Sequence, residues 1–158
     1  QYNDHFMIEA MNMAKVAFTN NEVPVGAIVV HNGEIIGRGF NQVIKKNSVS
    51  SHAEINAINQ ASKFLKNYRL NGCDMYVTLE PCHMCAKAIV DARINFLYFG
   101  ANEPKTGAIE SIDQFLDRED INHNLAFSGG HMKNESSKLL RKFFKSKRAE
   151  KASQKKLF

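Results

Sequence analysis

Apolar residues recur at helical spacing at Phe6, Ala10, Met13, Ala14 and Ala17, which predicts an amphipathic first helix capped by Asp4 and ended by Asn20-Asn21. Val25 to Val30 is then a short, almost continuous apolar run, and Glu34 to Phe40 is a second strand candidate. Asn32-Gly33 between them suits a tight hairpin, because both residues tolerate positive φ. Helical spacing returns at Ala53, Ala57, Ile58, Ala61 and Leu65, with Ser50 and Ser51 as capping candidates. Met75 to Leu79 predicts a buried strand, Cys82 to Asp91 a short helix with Pro81 at its start, and Phe96 to Phe99 a strand ended by Gly100. Residues 101–124 are polar and interrupted by Pro104 and Gly107, so they read as a long loop with one short helix around Ile112 to Leu116. Loops of that length often carry function. Leu125 to Ser128 is expected to form a last edge strand, and the chain to close on a helix from about Asn134. This alternation predicts an α/β domain with helices covering a central sheet. With no repeat, low-complexity linker or boundary in view, residues 1–158 are expected to form one domain.

Composition changes this picture little. The chain is 44% hydrophobic and 23% charged, as an ordinary globular protein is, and no apolar run is long enough to span a membrane. No secretory signal opens it, and since it starts at Gln1 a few residues are expected to precede it. Three cysteines, two of them in one C-x-x-C, exclude a disulfide scaffold and point to a reducing cytoplasm; Cys73 reads as a core residue. Charge is more informative. From Lys133 to Phe158 there are ten Lys or Arg against two Glu, a balance of +8 in a chain of formal charge +5, so the preceding residues carry about −3 by subtraction. That segment reads as a solvated helix face, or as a phosphate-binding and base-stacking edge because Phe143 and Phe144 lie among its cations.

The chemistry lies in two short stretches, His52-Ala53-Glu54 and Pro81-Cys82-His83-Met84-Cys85. One histidine and two cysteines are three zinc ligands, leaving a fourth tetrahedral position for water. Glu54, two residues from the histidine, can reach that water without ligating the metal. Such a set describes a hydrolytic site rather than a structural one. The predicted elements agree, with His52 starting one helix and the two cysteines three apart in the first turn of another, where the helix dipole favours thiolate. A C-x-x-C alone would equally be redox-active or half of a structural zinc site, but a redox motif explains neither His52 nor Glu54. A structural site would need a fourth ligand, for which His123 and His131 are free candidates; His83 points off the shared face, and His5, His31 and His83 read as surface residues.

The H-x-E…P-C-x-x-C pattern is the known signature of zinc nucleobase deaminases. Beyond it, Glu22-Val-Pro-Val-Gly-Ala27, Ser51-His-Ala-Glu54, Asn67-Tyr-Arg-Leu70, Tyr76-Val-Thr-Leu-Glu-Pro-Cys-His-Met-Cys-Ala86 and Lys105-Thr-Gly107 resemble the bacterial tRNA adenosine deaminases, the TadA family. The resemblance runs from the first helix through Phe143-Phe144. It implies a three-layer α/β/α cytidine deaminase-like fold with a central mixed sheet, one zinc per subunit, a cytoplasmic homodimer, and conversion of the wobble adenosine of a tRNA anticodon to inosine, chiefly in arginine tRNA with anticodon ACG. His52, Cys82 and Cys85 are then the metal ligands and Glu54 the catalytic proton carrier. The target base must be flipped out or already unpaired to reach them, as bases of an anticodon loop are. Asn41 matches the family asparagine that hydrogen-bonds the base, although on its own it would pass for a strand-end turn residue, and Val25 matches the pocket lining. Glu103, Lys105, Asn122 and His123 fall where the family contacts the anticodon stem-loop, and Phe143, Phe144 and Arg148 match its RNA-edge helix. No DNA or membrane partner is expected.

Three positions depart from the family pattern: Glu103 where aspartate is usual, Asn124 where arginine is usual, and Ser51 for the alanine before the zinc histidine. The first two bear on loop recognition, not on the reaction. Guanine deaminase and other small-base deaminases share the core motif, but the basic diphenylalanine helix and the Lys105-Thr106-Gly107 loop favour RNA. Free cytidine deaminases usually carry cysteine in place of His52. A non-catalytic RNA-binding module with a structural zinc would have no use for Glu54.

Overall fold

The computed structural model describes residues 1–157, with side chains through Lys155; Phe158, the last residue of the expected domain, lies outside the described residues. The elements run α1 (Asp4–Thr19), β1 (Gly26–His31), β2 (Glu34–Phe40), α2 (Ala53–Leu65), β3 (Cys73–Leu79), α3 (His83–Asp91), β4 (Phe96–Ala101), a 3-10 turn (Phe115–Asp117), β5 (Ala126–Ser128) and α4 (Lys133–Leu157). The strands form one mixed sheet in the order β2-β1-β3-β4-β5. β1 is antiparallel to both β2 and β3, while β3, β4 and β5 are parallel. Asn32 and Gly33 both have positive φ (50° and 76°), as the β1–β2 hairpin requires.

Alternation along the strands sorts two cores. Ala27, Val29, Met75, Val77, Leu97 and Phe99 pack with Ala57, Ala61, Ala86 and Ile89 of α2 and α3 on one face. Ile28, Val30, Tyr76 and Tyr98 pack with Met7 and Ala10 of α1 on the other, which α4 also borders. Burial on both faces explains why the strands read as continuous apolar runs. Helices approach the sheet where glycine leaves room: a Cβ on Gly26 would stand 2.0 Å from the Ala10 carbonyl oxygen, and one on Gly39 2.2 Å from that of Ala53.

Several sequence expectations shift. Asn3, not Asp4, caps α1: its side chain accepts the His5 N–H, and Asp4 becomes the first helical residue. The buried stripe of α1 is Met7, Ala10, Met11, Ala14 and Ala17, with Phe6 and Met13 only half-buried beside it. β3 starts at Cys73 rather than Met75, because Asp74 pairs with Val30 in the ladder despite its charge. β4 passes through Gly100 to Ala101, and Gly100 instead lets backbone lie close, a Cβ there falling 2.4 Å from the Thr78 carbonyl oxygen. The helix expected around Ile112 to Leu116 is the 3-10 turn at Phe115–Asp117. Ser50 and Ser51 do not cap α2, since Asn56 takes up the Ser51 hydroxyl and the cap comes from Asn41.

Candidate active site

The N-termini of α2 and α3 converge at the carboxyl ends of the parallel strands. His52 is the N-cap of α2 and Cys82 the N-cap of α3, which therefore starts at His83, one residue later than expected from sequence, with Cys85 in the first turn. His52 Nδ1 lies 3.7 Å from Cys82 Sγ and 3.5 Å from Cys85 Sγ. The three donor atoms lie within 4.8 Å of one another, and among the described residues neither His123 nor His131 joins them. Ligands bound at 2.0–2.3 Å around one tetrahedral metal stand about 3.6 Å apart, so these donors fit a single metal ion with a fourth position left to a non-protein ligand. His123 instead donates to the Ile94 carbonyl, and His131 stacks on Tyr2. His83, as expected, points away, to Asp113.

The electrostatics concentrate negative charge on one sulfur. Cys82 is held down to about 4 by the Cys85 thiol first and by His52 as well, against the opposing effect of burial. The same contact with the Cys82 sulfur, together with burial, pushes the Cys85 thiol up, and the Cys82 sulfur raises His52. One thiolate thus sits between two donors, all at the positive ends of two helices. Glu54 beside them is buried, and desolvation pushes its carboxyl up to about 7.

These groups open into a cavity of about 440 Å³, a size that suits small ligands. It is lined by His52, Glu54 and Cys82 together with Val25, Asn41, Glu103 and Phe143. Asn41 is oriented by its own hydrogen bond: Oδ1 accepts the Ala53 N–H at 2.8 Å, capping α2 and leaving Nδ2 as its remaining donor end. Phe143 is buried edge-on against Phe18, whereas Phe144 is 44% exposed. Lys105, Phe144 and Arg148 are exposed and do not line the cavity. Asn122 lines a separate groove of about 630 Å³ on the outer face of α3, with Tyr68, Arg69, Met84 and Lys87.

Three charged lining residues escaped the sequence reading as site residues. Lys147 reaches the cavity over the Phe143 ring and bonds Asn21, one cation among many in the sequence of α4. Glu22 accepts the N–H groups of Ile44 and Lys45 and so holds the wall after β2. Glu80 grips the opposite wall. Each glutamate lies inside a stretch that carries the family resemblance, and that was the signal the sequence offered.

Residues 2–148 match the MafB19-like deaminase family. The tRNA-specific adenosine deaminase of Agrobacterium fabrum is 45% identical over 144 residues, spanning 91% of this chain and 95% of that protein. That of Haemophilus influenzae is 42% identical over 158 residues, spanning 99% and 91%. A solved structure of a tRNA:A34 deaminase, studied for A-to-I editing at the wobble position of transfer RNA, has a TM-score of 0.85 at 43% identity over 87% of this chain and all of that one. With its mixed five-stranded sheet between helical layers and its deaminase cluster at the helix N-termini, the chain belongs to the tRNA-specific adenosine deaminases and has their cytidine deaminase-like α/β fold.

Proposed function

We propose that this chain hydrolyses the wobble adenosine of a tRNA anticodon to inosine, chiefly in arginine tRNA with anticodon ACG, using one zinc ion held by His52, Cys82 and Cys85. The observation that carries the reading is a buried carboxylate, Glu54, facing the same cavity as three candidate metal donors that no fourth joins among the described residues. Bound zinc would supply the Lewis acidity that brings the pKa of a water ligand towards neutrality. Glu54 takes a proton from the attacking water and passes it to a ring nitrogen of adenine. It then delivers the second proton to the exocyclic amine, so that water is consumed, the C–N bond breaks and ammonia leaves. Burial that holds its pKa near 7 lets one carboxyl act as base and then as acid.

Asn41 Nδ2 donates to an acceptor on the purine, and Val25 supplies an apolar wall. Glu103 and Lys105 meet the anticodon loop at the rim, and Phe144 and Arg148 extend the contact along α4. The +8 balance of the C-terminal segment supports a polyanionic partner. Asn122 and His123 act on RNA in a homodimer, in which more than one groove is offered to a single stem-loop. Among the described residues no helix is long and apolar enough to cross a membrane. The free cysteines fit a cytoplasmic enzyme.

The test is inosine formation in an arginine anticodon stem-loop, with other stem-loops bearing adenosine at the wobble position, free adenosine, guanine and cytidine in parallel. Inosine in the arginine stem-loop above all others is expected. Ammonia from guanine with an untouched stem-loop would overturn the assignment. Light scattering of the zinc-loaded protein checks the dimer, and a monomer mass at assay concentration would remove it from the reading.

A further inference from the structure

Glu80 follows β3 directly and precedes Pro81-Cys82, yet it lies 2% exposed with no ligand role. Its Oε1 accepts the Asn102 amide at 3.2 Å, the Glu103 N–H at 3.1 Å and the Ser111 hydroxyl. Its Oε2 accepts the N–H groups of Ile109, Glu110 and Ser111 at 3.0, 2.8 and 2.9 Å. None of these six donors is a cation, so the charge is held by dipoles converging from one loop. Burial alone would raise this carboxyl, but the donors win and hold it down at about 2. The loop is moulded to the carboxylate: a Cβ on Gly107 would stand 2.4 Å from both Glu80 Cδ and Oε1 and 2.6 Å from the Glu103 carbonyl oxygen. The Ala108 N–H also bonds the Pro81 carbonyl at 2.9 Å, so the loop is tied on both sides of the peptide leading to Cys82.

The same loop carries Glu103 and Thr106 into the cavity wall, with Lys105 between them exposed. We propose that Glu80 is a positioning residue for substrate recognition, fixing the 102–111 loop as the RNA-facing wall of the cavity at a set distance from the Cys82 segment. This rests on the RNA substrate proposed above. Glu80 touches neither the reacting atoms nor the metal donors, so its loss acts on substrate capture more than on the chemical step.

Glu80→Gln keeps the shape but turns one oxygen into a donor, and either orientation sets that donor against three others. With the zinc-loaded protein and the arginine anticodon stem-loop, KM should rise about tenfold to a hundredfold, the cost of misplacing a positioning wall by an ångström or so, while kcat falls much less. Metal content should stay at that of the unmodified protein. Hydrogen exchange should speed up at the amides of Glu103, Ile109, Glu110 and Ser111 but not in α2. Ser111→Ala, which removes one donor and leaves the charge, should show the same pattern more weakly and keeps the test open if Glu80→Gln does not fold. A fall in kcat at unchanged KM, loss of metal, or unchanged exchange in that loop would overturn the proposal. The exchange readout needs no substrate, so a wrong substrate assignment shows itself separately, as a stem-loop untouched by the unmodified protein.

Discussion

Replacing Asn41 separates two tasks performed by one amide. Its Oδ1 caps α2 through the Ala53 N–H at 2.8 Å, and in the function proposed above its Nδ2 is the donor offered to the base. Asn41→Ala removes both. Loss of a side-chain cap costs about 1 kcal/mol, or about 2–4 °C in Tm for a chain of this size. Loss of a donor to a buried acceptor on the substrate costs about 1–3 kcal/mol of transition-state binding, roughly a 5-fold to 150-fold fall in kcat/KM. Asn41→Asp keeps the acceptor, at the helix end that favours negative charge, but loses the donor and adds a charge to the cavity that Glu54 also faces. The aspartate variant should therefore melt close to the unmodified protein while deaminating the stem-loop as poorly as the alanine variant, or worse. Thermal unfolding followed by circular dichroism, beside kcat/KM for inosine formation, reads both tasks. An aspartate variant that melts as low as the alanine one, or that retains full kcat/KM, would refute this division.

Glu54→Gln should retain the metal, measured by atomic emission, and lose about 10²–10⁴ in kcat, whereas Cys85→Ser should lose the metal itself; metal loss in the glutamine variant would show that Glu54 ligates. A chelator should lower the Tm of the metal-loaded protein, because binding to the folded state alone stabilises it, and an unchanged Tm would argue against a site built from this cluster. Gly26→Ala places a Cβ 2.0 Å from the Ala10 carbonyl oxygen and 2.4 Å from the Ala14 nitrogen, both backbone, so α1 must move off β1. The cost, about 1–3 kcal/mol or more, should appear as a lower urea midpoint. His131 is shifted down by burial, opposed by Asp4, so the fold favours its neutral form. The stability it contributes is present above the ordinary histidine pKa and lost as pH falls through about 6.5 towards the lowered folded value. His131→Gln should flatten urea-derived stability between about pH 5 and pH 7, and an unchanged slope would mean other groups set it.

The metal donors and Glu54 were legible in sequence because their spacing is local. The three donors need only an N-cap histidine on one helix and two cysteines three apart at the start of another, and short-range periodicity reveals both helix starts. The strands of the two-faced sheet were legible for the same reason, apart from ends such as Asp74 and Gly100, where ladder pairing and backbone crossing outweighed local character. What stayed hidden depends on partners far along the chain. Asn41 capping Ala53, Glu80 gathering donors from residues 102–111, and Phe143 turned inward while Phe144 stays out are all decided by packing between distant elements. Nor could residue types alone divide the expected RNA contacts between the cavity, the rim and the separate groove that holds Asn122. By itself the sequence determined which candidate donors the site holds and the order of its elements, since donor identity and hydrophobic period are written residue by residue. Only the tertiary structure decided which walls close on that site and what holds them, because a buried carboxylate finds its donors only after the sheet has brought both segments together.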